Sequence, residues 1–444
     1  MKIVILNQFK NVIDTIRANK IDNTVFIEIQ PTNLFYTLNE NIAIFINFNK
    51  LSKEEINKQV ACVNQLILLN DNIQKYFYDI KTTSKILQSF NIEHTINKSW
   101  NDLKTYLIIQ GDNIDQYHMN LYGYEDTDIC KRRGELAKRL YNYIKQDQPK
   151  AYEITKKSIP IYLNMEQKGI RHIPFDHSYY HNTIKPNSKG DIFYPTFTFI
   201  GDKGTRTGSN FFSWLKDYRS NIIARKDHIL AEYDYNCAEA RIIAHLSKDK
   251  ELLKVFKSDE DFHTKNASIM LNRKDITDKE RELAKETFFS WVNGMTPTTL
   301  SKRIDFEFKD ARILLNKLGK HYKKMTKWLE DVQDQAIKDG YIINMFGRKR
   351  DLRKEIKENE KRARRQASSF IIQSTLTDFK LLALIKIDEY MSDILLGERT
   401  DSILIEIPNN KKTKSIIDHI KTIIEQPIKN TLKIPTKVCI GEHL

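Results

Sequence analysis

The chain has 444 residues, and 72 Lys and Arg against 58 Asp and Glu leave a formal net charge of +14. That length holds two or three domains with cores of their own. The basic excess suits a polyanionic partner through phosphate contacts and counterion release, although the Lys-, Asn- and Ile-rich composition of an AT-rich coding sequence accounts for part of it. Cys62, Cys130, Cys237 and Cys439 are far apart with no C-x-x-C spacing, so neither a zinc site nor a disulfide framework is indicated. The apolar run at residues 1–6 is too short for a signal peptide, and no run approaches the ~20 residues that span a bilayer. The expectation is a soluble, cytoplasmic protein with no membrane partner.

Taken in order, residues 1 to about 130 alternate short apolar strands at 24–29 and 42–46 with helical stretches at 57–70 and 83–90, which predicts an α/β domain. Residues 122–128 open a helix that runs to about residue 143. Another helix spans 150–170, closed by Gly169 as its C-cap. From 171 to 202 there is no helical period, and irregular strands and loops are expected; 202–210 is a small polar loop with basic residues. An apolar run, Ile229-Leu230-Ala231, then leads into Asp234 as a buried strand, and Ala240, Ile243, Ala244 and Leu246 give the helix after it one apolar face. Residues 251–340 are mostly helical, with turns near Asn272 and Asn293-Gly294. A strand-turn with a basic tip covers 341–350, and a strongly basic helix at 361–366 leads into an apolar one at 370–387. Last, apolar strands at 393–396 and 403–407 flank a polar connector, 397–402, with Asp401 at the turn of the hairpin.

Three of these segments carry chemistry. Asp234 ends a strand and Glu239 falls in the first turn of the next helix. That arrangement suits a metal ion beside a substrate, and equally an acidic turn complementing a helix dipole. Within 278–294, Arg281, Lys285 and Phe289 are spaced four apart and share one stripe. Two cations followed by a ring suit a nucleoside triphosphate, phosphates on the cations and base on the ring. Taken alone, a solvated basic stripe with Phe289 in the core is the simpler account. Asp234 and Asp401, brought together, could bind two divalent ions for an in-line phosphoryl transfer; apart, each is a turn-forming Asp.

In this order and spacing the segments resemble the three polymerase motifs of the DNA polymerase I family, the A family. Residues 234–247 resemble motif A, followed by Asp261-Phe262-His263-Thr264; Arg281-x-x-x-Lys285-x-x-x-Phe289-x-x-x-x-Gly294 matches motif B; and Asp401, ahead of 403–408, matches motif C. Residues 346–350 and 373–375 resemble further family segments, so the resemblance covers roughly 120–444. It implies an α+β fold: a right-hand polymerase with a palm (226–250 and 341–444), fingers (251–340), connecting helices and a vestigial thumb (131–225), and a degenerate, RNase H-like 3′–5′ exonuclease-type domain (1–130) ahead of them. It implies that Asp234 and Asp401 ligate two Mg²⁺ and that Arg281, Lys285 and His263 hold the triphosphate of an incoming deoxynucleoside triphosphate. Phe289 would stack on that nucleotide, and Glu239 would be the steric gate against a ribose 2′-hydroxyl. Arg365 and Gln373 would touch the minor groove of primer-template DNA.

The departures are as informative. Motif C usually reads His-Asp-Glu, and here it is Thr400-Asp401-Ser402, so an acidic neighbour is lost. Motif B usually has Tyr where Asn293 stands; Asn293 could still bond Glu239 but cannot stack, which implies altered fidelity or sugar selection. The loop at 205–210 has Ser209 where the family usually has Arg, with Arg206 as a substitute DNA contact. The family's long helical thumb has no counterpart in the short, aperiodic stretch before residue 205, so intrinsic processivity is expected to be low unless a processivity or replication partner supplies the grip. In the N-terminal region Glu28 lacks the Asp that should precede it by two, Thr83 stands where the second exonuclease motif needs an Asp near Lys81, and only Tyr122-x-x-x-Asp126 survives; no proofreading is expected. Two alternatives stand beside the polymerase: a polymerase-derived binding or scaffold protein that no longer catalyses, and a polymerase specialised for lesions or RNA templates. The compact, AT-rich chain points towards a phage or similar element.

Overall fold

The computed structural model describes residues 2–5, 14–15, 21, 24–39, 42–111, 148–178, 180–198, 205–210, 216–258, 260–294, 298, 301, 308–429 and 431–443. The helix expected from 122, the Tyr122-x-x-x-Asp126 remnant and Cys130 fall outside the described residues. The chain divides into two compact units, Met1–Leu163 and Asn164–Leu444.

The first unit contains β1 (Lys2–Ile5), β2 (Thr24–Gln30), β3 (Asn33–Asn39), β4 (Ile42–Asn47), α1 (Lys53–Val63), β5 (Gln74–Phe77), α2 (Ile80–Ser89), β6 (Trp100–Asp102) and α3 (Leu103–Ile109), and helix α4 (Lys150–Lys168) begins in it. Its six strands form one mixed sheet in the order β1-β4-β3-β2-β5-β6. β2, β3 and β4 are an antiparallel meander, and β1, β5 and β6 join in parallel. Both strands expected from alternating apolar residues are present. Helix α1 starts four residues earlier than its apolar period suggests. Ser52 and Glu55 make a reciprocal capping box that satisfies the first-turn N–H groups while the turn itself is polar.

The second unit opens with pairs of two-residue strands, β7 (Ile170–Arg171), β8 (Ser188–Lys189), β9 (Ile192–Phe193), β10 (Phe197–Thr198) and β11 (Gly208–Ser209), and short turns at Tyr180–Ile184 and Lys185–Asn187. Among the described residues between α4 and β11 there is no long helix. Then come β12 (His228–Tyr235), α5 (Ala238–Ser247), α6 (Lys250–Val255), α7 (Phe262–Leu271), α8 (Asp278–Val292), α9 (Phe308–His321) and α10 (Lys323–Asp339). They are followed by β13 (Tyr341–Ile343), β14 (Lys349–Asp351), α11 (Arg353–Tyr390), β15 (Leu395–Glu398), β16 (Ser402–Pro408), α12 (Thr413–Glu425) and β17 (Thr436–Gly441).

One antiparallel sheet, in the order β15-β16-β12-β17, positions the chemistry. Along β12 the side chains alternate. Tyr233 and Tyr235 are buried and donate their hydroxyls to the carbonyls of Ile417 (3.0 Å) and Ile424 (3.1 Å) on α12. Glu232 and Asp234 therefore lie on the opposite face. The basic and apolar stretches at 361–366 and 370–387 are not two helices but one, α11, interrupted only at Asn359, whose backbone is extended. The β13–β14 hairpin is tied to α11 by a fully buried pair, Arg348 with Asp378, and Asn344 donates to the same carboxylate at 2.7 Å.

The hairpin around Asp401 is tighter than expected. β15 continues to Glu398 and β16 begins at Ser402, so only Arg399, Thr400 and Asp401 remain as the turn. Glu398 reads as a polar connector residue in the sequence, but it is buried against Lys380 of α11, and the Arg399 amide closes the turn on Ser402 O at 2.8 Å.

Candidate active site

Asp234 and Asp401 come together. Asp234 stands opposite Ser402 in the β12–β16 ladder, and the next amide, Tyr235 N–H, donates to Asp401 O at 2.8 Å. The two carboxylates feel each other. Burial pushes the Asp234 pKa up to about 6, the charges of Asp401 and Glu232 add to the rise, and Arg399 and Lys437 oppose it. Glu232 is a residue that motif reading misses. It lies two positions before Asp234 on the same face and takes the Ser402 hydroxyl at 2.7 Å. Its signal in the sequence is the strict alternation Glu232-Tyr233-Asp234-Tyr235.

The donor set fits a hard divalent cation. Mg²⁺ is commonly held by one or two carboxylates, with water and phosphate oxygens completing the shell. Among the described residues no three His, Cys, Asp or Glu side chains are arranged as a closed metal cage. Asp234 and Asp401 would thus be the ligands the protein supplies, and a cation there would relieve the repulsion that raises Asp234.

From Asp234 the chain turns within three residues. Cys237 takes left-handed angles (φ 50°, ψ 41°), a conformation uncommon for a residue with a side chain, and α5 starts at once. Glu239 in its first turn is 18% exposed and pairs with Arg206 at 3.0 Å. Burial raises the Glu239 pKa and Arg206 pulls it back. Arg206 is anchored from both sides: Thr205 O accepts the Thr377 hydroxyl at 2.8 Å, and the Thr207 hydroxyl donates to Glu398. Lys380, paired with Glu398, also donates to Arg399 O at 2.6 Å, inside the Asp401 turn.

Beyond Cys237 lies the α7–α8 pair. Cys237 Sγ is 3.7 Å from His263 Nε2, and the His263 ring is 5.8 Å from that of Phe289. His263 is buried, and burial pulls its pKa down to about 4, so the ring is neutral at pH 7. Arg281 grips Asp261 with two bonds of 2.9 Å; although burial raises Asp261, that grip and the Thr264 N–H and hydroxyl hold its carboxyl well below the usual carboxylate range. Lys285 is exposed on the same face, 3.2 Å from Glu282. The expected stripe is therefore assembled, with His263 and Phe289 in contact and the Arg281 guanidinium engaged by Asp261.

Asn293 caps α8. Its side-chain amide donates to Phe289 O at 2.8 Å and its oxygen accepts the Ser369 hydroxyl of α11 at 2.7 Å. A bond to Glu239 is thus not what Asn293 makes here; Glu239 is held by Arg206. Arg365 lies one turn before Ser369 and packs its aliphatic stem on Gly294 (φ +72°), where a Cβ would sit 2.5 Å from Arg365 Cγ. Gln373 is half-buried two turns further along α11, which packs along α5.

The chain is similar to proteins of one family. A family model described as DNA polymerase family A matches residues 212–442. The chain is 27% identical over 233 residues to a thermostable DNA polymerase I of Thermus filiformis, which covers 50% of this chain and 27% of that protein. It is 30% identical over 239 residues to DNA polymerase I of Caldicellulosiruptor bescii, covering 51% and 27%. The chain thus spans about a quarter of the length of these curated relatives in the matched stretch. Its fold is similar to that of the POL domain of Pol1 from M. smegmatis, a structure in complex with DNA primer-template and dNTP, with a TM-score of 0.75, 16% identity, and coverage of 94% of this chain and 95% of that one.

Proposed function

This chain belongs to DNA polymerase family A, and we propose that it extends a primer 3′ end on a DNA template with deoxynucleoside triphosphates. The observation that carries the proposal is the convergence of Asp234 and Asp401 at the paired ends of β12 and β16, beside a helix stripe of Arg281, Lys285 and Phe289.

Residue by residue, the roles follow from chemistry. Asp234 and Asp401 would hold two Mg²⁺, which when bound lower the pKa of the primer 3′-hydroxyl and neutralise charge on the leaving pyrophosphate. Arg281 and Lys285 offer cations to the triphosphate. Two of the Arg281 N–H groups are held by Asp261, which fixes the guanidinium and leaves further donors for a phosphate. His263, neutral at pH 7, offers an N–H and not a charge. Phe289 offers a ring face to the base, and Glu239 offers bulk and charge against a 2′-hydroxyl. Arg365 and Gln373 on α11 are the proposed minor-groove contacts. The palm, fingers, reduced thumb and an exonuclease-like N-terminal region without proofreading complete the reading.

The test is primer extension by the full chain on a matched DNA template, omitting one nucleotide at a time, beside Asp234→Asn. The parent should stop at each omitted base, and D234N should lose extension by on the order of 10²–10³-fold through lost electrostatic stabilisation. A parent that binds primer-template but never extends it would favour the non-catalytic reading, which the altered motif C and Asn293 motivate.

A further inference from the structure

Glu239 has an unexpected partner, and that partner is held unusually well. We infer that Arg206 sets sugar selection at this site by fixing Glu239 against the 2′ position of the incoming nucleotide. The inference rests on the polymerase reading above and assigns the residue that holds its gate.

Three observations carry it. First, the guanidinium of Arg206 donates to Glu239 Oε1 at 3.0 Å, and the gate carboxylate is largely buried while Arg206 remains 42% exposed. A glutamate has three rotatable bonds, and a gate that swings freely excludes nothing; an ion pair to a fixed partner removes that freedom. Second, the partner is fixed. Thr205 O is bound by Thr377, and Thr207 by the Glu398 carboxylate. Immediately after Arg206 and Thr207 the chain joins a strand pairing, Gly208 with Thr198 and Ser209 with Phe197. Both neighbours of Arg206 are therefore anchored, one to α11 and one to the buried Lys380–Glu398 pair beside the Asp401 turn. The selecting group is thus supported by a preorganised outer layer. Third, the residue at the end of α8 is turned to other partners. Both polar atoms of the Asn293 amide are engaged, one by Phe289 O and one by Ser369.

The consequence is a gate whose hold comes from the loop at 205–209 and not from α8. Movement of α8 during nucleotide binding would leave Glu239 in place, since nothing on α8 carries it. With Arg206 on one side of the gate, a ribose 2′-hydroxyl meets an already paired, immobile carboxyl group.

The experiment uses the full chain with primer-template and Mg²⁺, and measures kcat/KM for dATP and ATP with Arg206→Gln, Arg206→Lys, Glu239→Ala and the R206Q/E239A double variant. Competition binding of dATP against ATP to the complex with a chain-terminated primer supplies a readout that needs no turnover. R206Q should lower the preference for dATP by about tenfold, R206K should retain most of it, and the double variant should match E239A alone, because Arg206 acts only through Glu239. An unchanged preference in R206Q, or effects of R206Q and E239A that multiply in the double variant, would overturn the assignment and leave the polymerase reading intact. A parent that neither extends the primer nor prefers either nucleotide in binding would overturn both.

Discussion

The turn that carries Asp401 depends on a buried ion pair that plays no direct part in the chemistry, and Glu398→Gln tests that dependence. Lys380 is 2% exposed and Glu398 is 0% exposed. Lys380 pairs with the Glu398 carboxylate and donates to Arg399 O at 2.6 Å. E398Q keeps the shape and removes the negative charge facing Lys380, whose pKa burial already draws down to about 7 against the pull of Asp401; breaking a buried pair from one side costs about 3–5 kcal/mol while the ammonium stays charged. The double variant K380M/E398Q removes both charges and leaves the Arg399 carbonyl without its donor, a loss of about 1–3 kcal/mol. Removing a second member of the pair should therefore restore stability relative to E398Q, by about 2 kcal/mol. Hydrogen exchange read on peptides covering 226–240 and 392–408 is the direct assay, because the amides of Tyr235 and Arg399 bond Asp401 O and Ser402 O at 2.8 Å and report the turn itself. Protection there should fall in the order parent, double variant, E398Q. If E398Q stays within about 0.5 kcal/mol of the parent, or the double variant is the least protected of the three, the pair does not hold the turn.

Two further outcomes follow from the same structure. Because burial lowers the His263 pKa to about 4, the folded state disfavours the proton that the unfolded chain takes up near pH 6.5; the stability this residue contributes is complete above pH 6.5 and drains away as the pH falls towards 4, by up to about 3 kcal/mol. Urea midpoints measured across that window should slope less in His263→Gln than in the parent, and equal slopes would refute the assignment. Since the described residues between α4 and β11 hold only short strands and turns, a single binding event with a trap present should give short products, and runs of many tens of nucleotides without an added partner would contradict the reduced grip.

Much of this site is legible along the chain, and the rest is illegible for a definite reason. Asp234, Glu239, Arg281, Lys285, Phe289 and Asp401 sit in segments whose spacing is set by one strand, one helix or one turn, so a motif a dozen residues long contains them. The same local physics delivers β12, α5, α8 and the Asp401 hairpin at nearly their observed bounds. What spacing cannot give is the partner of a polar side chain that lies on another element, 18 to 76 positions away. Arg206 reaches Glu239, Lys380 reaches Glu398, and Ser369 reaches Asn293 only because α11 runs along α5 and past the end of α8. None of those pairs leaves a period or a turn signature. Boundaries fail for a related reason: Glu398 looks like loop because it is charged, yet a charge with a buried partner extends a strand as well as an apolar residue does.

The altered third motif shows how these two kinds of information combine. Read along the chain, Thr400-Asp401-Ser402 has lost an acidic residue. Read across the sheet, Ser402 faces Asp234 and gives its hydroxyl to Glu232, two residues before Asp234 on the neighbouring strand. The Asp401 end of that face thus still carries a third carboxylate, contributed by Glu232 of β12 where position 402 of β16 has none. Only the antiparallel register, which sets residue 234 against 402, turns an apparent deletion into a change of strand.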